Sequence, residues 1–322
     1  CGVMGNVYGG GLGDDTTPVY AFGDVKVIIN KPDDIATLGG HGAAFTQNTE
    51  DVTVGGTVYT GVPLTGRIFG CNNIKGTPLG DVLVEVYSTR QINSNGEIVA
   101  GHKNYEIQAV YGGGNQADYA PAVGKETKVN IYGCSESSIA RVYGGGNSAL
   151  VPSTDVTIWG SFDIEYAFAG GNGGQPIKTS SGWVANEGAG VNGHARITCH
   201  GGKIGEIFGG SDFRGIVRKA TTTQAQQGTC PLRITKLYGA GKEADVDGDV
   251  NVVISGCTAE NSEIEYVCGG SYKANISGNV HLTITAGDFQ NVYGGNDQRG
   301  SIGGNIIVYI EETDPCKPIL IN

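Results

Sequence analysis

One short motif recurs along the whole chain: an apolar residue, two variable residues, Val, Ile or Leu, an aromatic ring, then Gly-Gly or Gly-Ala, often closed by Asn or Ser. Clear copies are MGNVYGG from Met4, IQAVYGGGN from Ile107, IARVYGGGN from Ile139, IGEIFGGS from Ile204 and FQNVYGGN from Phe289; weaker ones begin at Ile35, Arg67, Ile164, Ile234 and Ile264. The Val-type position falls at 7, 38, 68, 110, 142, 167, 207, 237, 267 and 292, so successive copies lie 25 to 42 residues apart. A recurrence of that length marks a repeat architecture, in which each unit buries its apolar face only by stacking on its neighbours. One unit runs through all 322 residues, so the usual expectation of about two domains for this length does not apply.

Before most copies lies a second element with two-residue alternation: Val25, Val27, Ile29; Val82, Val84, Val86; Val250, Val252, Ile254; Val280, Leu282, Ile284; Ile306, Val308, Ile310. Alternation at period two is a strand with one buried face. Helix is excluded over most of the chain, because no window shows three-and-four spacing free of glycine and interior glycine costs about 1 kcal/mol each. The 56 glycines have no triplet period, so they read as tight turns, and with one methionine the interior must be Val, Ile, Leu and Ala. The expected fold is therefore all-β: a single parallel β-helix (β-solenoid) of about ten coils with inserted loops, like residues of successive coils about 4.8 Å apart. It spans residues 1–322 as one continuous unit, with insertions at 87–105, 173–191 and 212–230, the second carrying Trp183. Cys1 to Tyr8 aligns with Cys134 to Tyr143, so the chain opens in mid-coil, as a segment of a longer protein would; Cys1 as the lipid-bearing first residue of a lipoprotein is the alternative.

The formal charge of −11 has no long like-sign runs. It reads as a solvated acidic surface, which argues against nucleic acid and anionic lipid as partners. No apolar run approaches the length of a membrane span, so direct membrane insertion is not expected.

In the motif the first apolar residue and the Val three places later cannot share one face of a flat strand, so the strand must bend between them. The residue before the Val is usually polar, and the aromatic shares its outward parity. This predicts a ladder of Tyr8, Phe69, Tyr111, Tyr143, Phe168, Phe208, Tyr238 and Tyr293 on one outer edge. The rings either lie over the glycines of the adjoining coil or form platforms for sugars or a partner surface. On the second reading the ligand-binding candidates are Tyr111, Tyr143, Phe168, Phe208 and the loop residue Trp183. Asn115, Asn147, Asn172 and Asn296 recur after the glycines, where Asn tolerates the left-handed region and its amide bonds the adjacent turn; they form a structural turn ladder.

Catalytic and metal chemistry is thin. Asp245, Asp247 and Asp249 resemble the start of a calcium loop, but Gly248 precedes the third Asp and no Glu follows at the twelfth position, so a repeat turn is the main reading and calcium the alternative. His194 and His200 share a strand face too far apart to grip one ion. Gly40-His41-Gly42 is similar to a pectinase motif but lacks the acidic partners. The eight cysteines show no C-x-x-C pair, which argues against zinc; Cys134 and Cys257 share a turn position, and small buried fillers are the expectation, with disulfides permitted by export. No cofactor and no catalytic residue is expected.

The VYGGGN copies at 110–115 and 142–147, with Ile131-Tyr132-Gly133-Cys134 between them, resemble the long glycine-rich repeat proteins of gut-type bacteria described as adhesin-like surface proteins. That resemblance covers nearly the whole chain and implies a right-handed β-helix, export and attachment to an outer surface. It brings no catalytic residues. The expected role is a non-enzymatic, extracellular structural or adhesive module presenting loops and an aromatic edge to glycans or another cell-surface protein, with end-to-end self-association of open terminal coils as a further expectation. The alternative is a polysaccharide-degrading β-helix enzyme, a lyase or glycoside hydrolase, which needs carboxylates converging from neighbouring coils.

Overall fold

The computed structural model describes residues 4–30, 45–89, 105–121, 124–186, 188–256, 263–312 and 319–321. Among them the regular structure is all β, and most of it lies in two open nine-stranded parallel sheets that the chain visits alternately. The first sheet collects the ring-and-glycine motif, from Asn6–Tyr8, Arg67–Phe69 and Ile107–Tyr111 through Ser138–Tyr143, Asp163–Phe168, Gly202–Phe208 and Leu232–Tyr238 to Glu263–Cys268 and Asn291–Tyr293. The second collects the alternating strands, from Val25–Ile29 to Ile306–Ile310, and in both sheets spatial order follows chain order. A third, narrower side consists of single parallel bridges running Val151, Val191, Val217, Val246, Ile276, Ile302. The motif copy at 35–40, Gly40-His41-Gly42, Cys1, Cys257, Cys316 and most of the 87–105 insertion lie outside the described residues.

Register is strict because one face of every strand is buried, and a slip of one residue would turn every apolar side chain outward. Val25, Val82, Thr127, Thr154, Ala195, Thr221, Val250, Val280 and Ile306 stand in one line across the second sheet. Along Thr154–Ile158 burial alternates as the sequence does. The inward rows of both sheets and of the bridge side meet in one core extending from Val25 to Phe289. Each fully buried Val, Ile or Leu there contributes about 1.5–3 kcal/mol. The expected bend in the motif is present: Ile139 faces Ile164 and Arg141 faces Tyr166 with no paired residue between, and Ile139 and Val142 are both in the core.

Two segments depart from the sequence-based expectation. Residues 212–230 are not an insertion: Val217 takes its place in the bridge row, and Thr221–Gln226 pairs in register between Ala195–Cys199 and Val250–Ser255. Its inward positions are Thr221, Thr223 and Ala225, so the alternation carries no strong hydrophobic signal; the Thr221 hydroxyl instead donates to the Gly239 carbonyl at 2.8 Å. Conversely, residues 49–63 form an antiparallel hairpin, Thr49–Val54 with Thr57–Pro63, turning at Gly55 and Gly56. Two alternating runs joined by Gly-Gly are a hairpin signal that was present in the sequence.

Cys134 and Cys230 form a disulfide with Cα atoms 5.7 Å apart. They follow second-sheet strands Thr127–Ile131 and Thr221–Gln226, so the link crosses the turns after Thr154–Ile158 and Ala195–Cys199. Those turns carry Gly160 and Gly201, where an added Cβ would lie 2.6 Å from Cys230 Sγ and 2.5 Å from Cys230 Cβ. Glycine is what lets the crosslink lie down over them. Cys71, Cys199 and Cys268 are free thiols in the interior, and burial pushes the Cys268 thiol up to about 12.

Candidate functional site

The outward aromatic ladder exists as a stack, but it is not an exposed edge. Tyr8, Phe69, Tyr111, Tyr143, Phe168, Phe208 and Tyr238 stack face to face with centroids 4.7 to 5.0 Å apart, the spacing between strands. They form a core of their own on the side of the first sheet away from the main core. Tyr111 is 3 % exposed and Tyr143, Phe168 and Phe208 are 0 % exposed, so these four candidates present no ring face to a ligand. The parity expectation holds and the exposure expectation does not, because the glycines let the chain fold back and cover the stack with residues four places after a ring, of which Asn147, Asn172 and Asp212 meet the Tyr111 and Tyr143 hydroxyls. Cys268 interrupts the ladder, and Tyr293 beyond it is exposed and tilted against Tyr266.

That covering line is where three of the four turn asparagines stand. Asn115 Nδ2 donates to Asn73 Oδ1 (2.8 Å), Asn147 Nδ2 to Asn115 Oδ1 (2.8 Å) and Asn172 Nδ2 to Asn147 Oδ1 (2.7 Å). Asn296 is a correction: it follows its ring by three residues rather than four and lies in another row, accepting Ser271 N–H at 2.9 Å. Asp297 takes the covering position there and accepts the Tyr238 hydroxyl at 2.9 Å, as Asp212 accepts the Tyr143 hydroxyl at 3.0 Å. Each hydroxyl thus reaches the turn two passes further on.

Asp212 continues the asparagine line as a part-buried carboxylate. Burial raises its pKa, opposed by Lys242, whose Nζ is 3.6 Å away, by the Tyr143 hydroxyl and by Arg141. A raised folded value means that the folded state holds the proton more tightly than the unfolded one. The carboxyl therefore favours folding below its ordinary value of 3.8, and this contribution is lost as pH rises through the folded value. Asp212→Asn keeps an acceptor for Tyr143 and extends the amide line. Its expected unfolding free energy at pH 7 is unchanged or up to about 1 kcal/mol higher. Urea titrations from pH 4 to pH 7 should show that it lacks the wild type's decline over that interval; a parallel decline in both proteins would contradict the assignment.

The acidic stretch is likewise engaged with the next pass. Asp245 Oδ1 accepts Asn275 N–H at 2.8 Å, Asp247 Oδ1 accepts the Ser277 hydroxyl at 2.9 Å, and Asp249 Oδ1 accepts Asn279 N–H at 2.7 Å. The three carboxylates thus point at successive partners rather than converging, and the described residues contain no group of three His, Cys, Asp or Glu able to hold a metal ion. These are the contacts of a repeat turn with the equivalent turn of the next pass.

Trp183 leads to a concave site. The 173–191 insertion contains the hairpin Ile177–Thr179 with Gly182–Val184, in which Lys178 and Trp183 are cross-strand partners with Lys178 Nζ 5.6 Å from the indole centroid. This arm reaches back across earlier passes: Gln116 Nε2 donates to the Lys178 carbonyl at 3.0 Å, Lys178 Nζ is 3.9 Å from Glu50, and the Ser180 hydroxyl bonds Asp15. Between the arm and Val62, Pro63 and Leu64 of the other hairpin lies a cleft of about 350 Å3, within the size range of small-molecule sites. Asn73, Asn115, Asn147 and Gln116 line it together with Tyr8, Arg67 and Tyr111. Burial pushes the Tyr111 hydroxyl up to about 12, so it offers a neutral group here. The tertiary structure thus brings Trp183 beside Tyr111, Asn115 and Asn147, but not beside Tyr143, Phe168 or Phe208.

A second aromatic row escaped the sequence reading. Tyr87, Tyr132, Trp159 and His200 stack along the edge after the second-sheet strands, with Trp159 45 % exposed. Its signal was an aromatic directly after the alternating run.

No protein-family model matches the chain, and no curated protein and no solved structure matches it. No described helix is long and apolar enough to cross a membrane.

Proposed function

We propose that the chain is a right-handed parallel β-helix serving as a non-enzymatic module of a bacterial cell surface, whose rigid stack displays the arm and its cleft to a carbohydrate. The observation that carries this reading is the cleft: the indole of Trp183 beside a line of asparagine and glutamine side chains, mounted on the stacked passes. Carbohydrates present apolar ring faces and hydroxyls that both donate and accept, which aromatic and amide side chains match. The two parallel sheets with in-register rows support the β-helix, and the Cys134–Cys230 disulfide supports export, since such links persist in oxidising compartments.

A glycan array with the wild type and Trp183→Ala tests it. Binding that falls about tenfold or more in Trp183→Ala, and stays level in Trp159→Ala, is expected. Equal binding by all three proteins would rule out the cleft as the site. New reducing ends or unsaturated products on incubation with the same glycans would overturn the non-enzymatic role.

Self-association belongs to the same proposal. Ile306–Ile310 is exposed along its whole length, with Ile306, Val308 and Ile310 at 44 to 48 %, whereas Val25, Val27 and Ile29 at the opposite edge of the sheet are buried. An apolar strand edge of this kind templates pairing. Light scattering should show association rising with concentration and abolished by Val308→Lys; a wild type that stays monomeric at high concentration would remove this part.

A further inference from the structure

The charge of the cleft runs against that of the molecule. The chain carries −11 overall, yet the cleft lining contains Arg67 and Lys178 and no Asp, Glu or His. Arg67 is held by neutral acceptors, with Nε 3.3 Å from Asn6 Oδ1 and Nη2 3.1 Å from the Leu64 carbonyl, and its guanidinium lies 5.4 Å from the Phe69 ring centroid. Among the described residues no carboxylate is within ion-pair distance of it. Among the described residues the one carboxylate within reach of Lys178 is Glu50, at 3.9 Å with both side chains well exposed, a pairing of little worth that a better-placed anion would displace. Around the two cations stand the amides of Asn73, Asn115 and Gln116 and the indole of Trp183.

We infer that the cleft takes an anionic sugar residue. Arg67 and Lys178 receive its acid group, the amides its hydroxyls, and Trp183 its apolar ring face. A guanidinium with a donor to spare matches the two oxygens of a carboxylate or sulfate, and a positive recess in an acidic surface attracts such a ligand selectively. This rests on the carbohydrate reading above and narrows it to a ligand class.

Calorimetric titration of the full chain with four probes decides it: a uronic-acid oligosaccharide, its methyl ester, a sulfated oligosaccharide and the neutral parent sugar. The uronate should bind about tenfold or more tighter than its ester, and the preference should shrink as salt rises. Lys178→Gln, at an exposed position outside the core, and Arg67→Gln should each lower uronate affinity about tenfold and leave that of the neutral sugar unchanged. A sulfated probe bound more tightly than the uronate would keep the anionic class and identify sulfate as the group. If the ester or the neutral sugar binds as well as the uronate, in a manner lost in Trp183→Ala, the anionic inference fails and the carbohydrate reading survives. If none of the four probes binds, both fail.

Discussion

Truncating Tyr143 to alanine is expected to lower the unfolding free energy by about 3–5 kcal/mol. The ring is 0 % exposed and stacked at 4.8 Å on Tyr111 and 5.0 Å on Phe168, so its removal breaks two contacts of about 0.5–1.5 kcal/mol each and leaves a cavity in a rigid column. It also strips the part-buried Asp212 carboxylate of the hydroxyl that donates to it at 3.0 Å. Tyr143→Phe separates these effects: the stack persists, the donor goes, and a loss of about 1–3 kcal/mol is expected. Tyr293→Ala is the comparison, since that ring is 48 % exposed and lies beyond the break at Cys268; a change within about 0.5 kcal/mol is expected. Urea midpoints and slopes for the three variants provide the measurement. The slope matters because a stack of repeated passes can unfold piecewise. Equal losses in Tyr143→Ala and Tyr293→Ala would mean that the column does not hold the passes together.

Opening the Cys134–Cys230 link should cost nearly as much. It closes a loop of 96 residues, and the chain-entropy relation assigns a closure of that size about 4–5 kcal/mol through the unfolded state. Thermal unfolding with and without reductant, repeated on Cys134→Ser with Cys230→Ser, should show the same downward shift in the reduced protein and in the double variant. The double variant should in turn be insensitive to reductant. Gly160→Ala provides an independent check, because its Cβ would press on Cys230 Sγ and so should destabilise the oxidised protein more than the reduced one. An oxidised wild type that melts with the double variant would show that the crosslink does not constrain the unfolded chain.

The ring-and-glycine motif and the alternating strands were legible because each depends on a local rule: period-two burial for the strands, glycine tolerance at the sharp turns. The bend between Ile139 and Val142 followed from parity alone, and the structure contains it. Thr221–Gln226 was hidden because its inward positions are Thr and Ala, which a parallel sheet accepts once their hydroxyls find carbonyls, but which hydrophobic alternation cannot detect. Hairpin 49–63 leaves a local trace in its Gly55-Gly56 turn, but it stands outside the repeat and so shares none of its periodicity. The third row, one bridging Val or Ile per pass, is too short to leave any periodic trace.

At the site the division is sharper. Trp183 could be singled out as an aromatic in a segment without repeat, yet nothing near it in sequence indicates that its arm folds back to Gln116, Glu50 and Asp15. Tyr111 and Asn115 could be placed on the outer side of the sheet, yet whether that side met water depended on how far the glycine turn curls.

Strand periodicity, turn positions and the outward parity of the rings are properties of a few adjacent residues, so a linear reading recovers them. Burial of the ring column, the Cys134–Cys230 pairing and the recess holding Arg67, Lys178 and Trp183 arise between passes tens of residues apart. They exist only once stacking brings those passes within a few ångströms of one another.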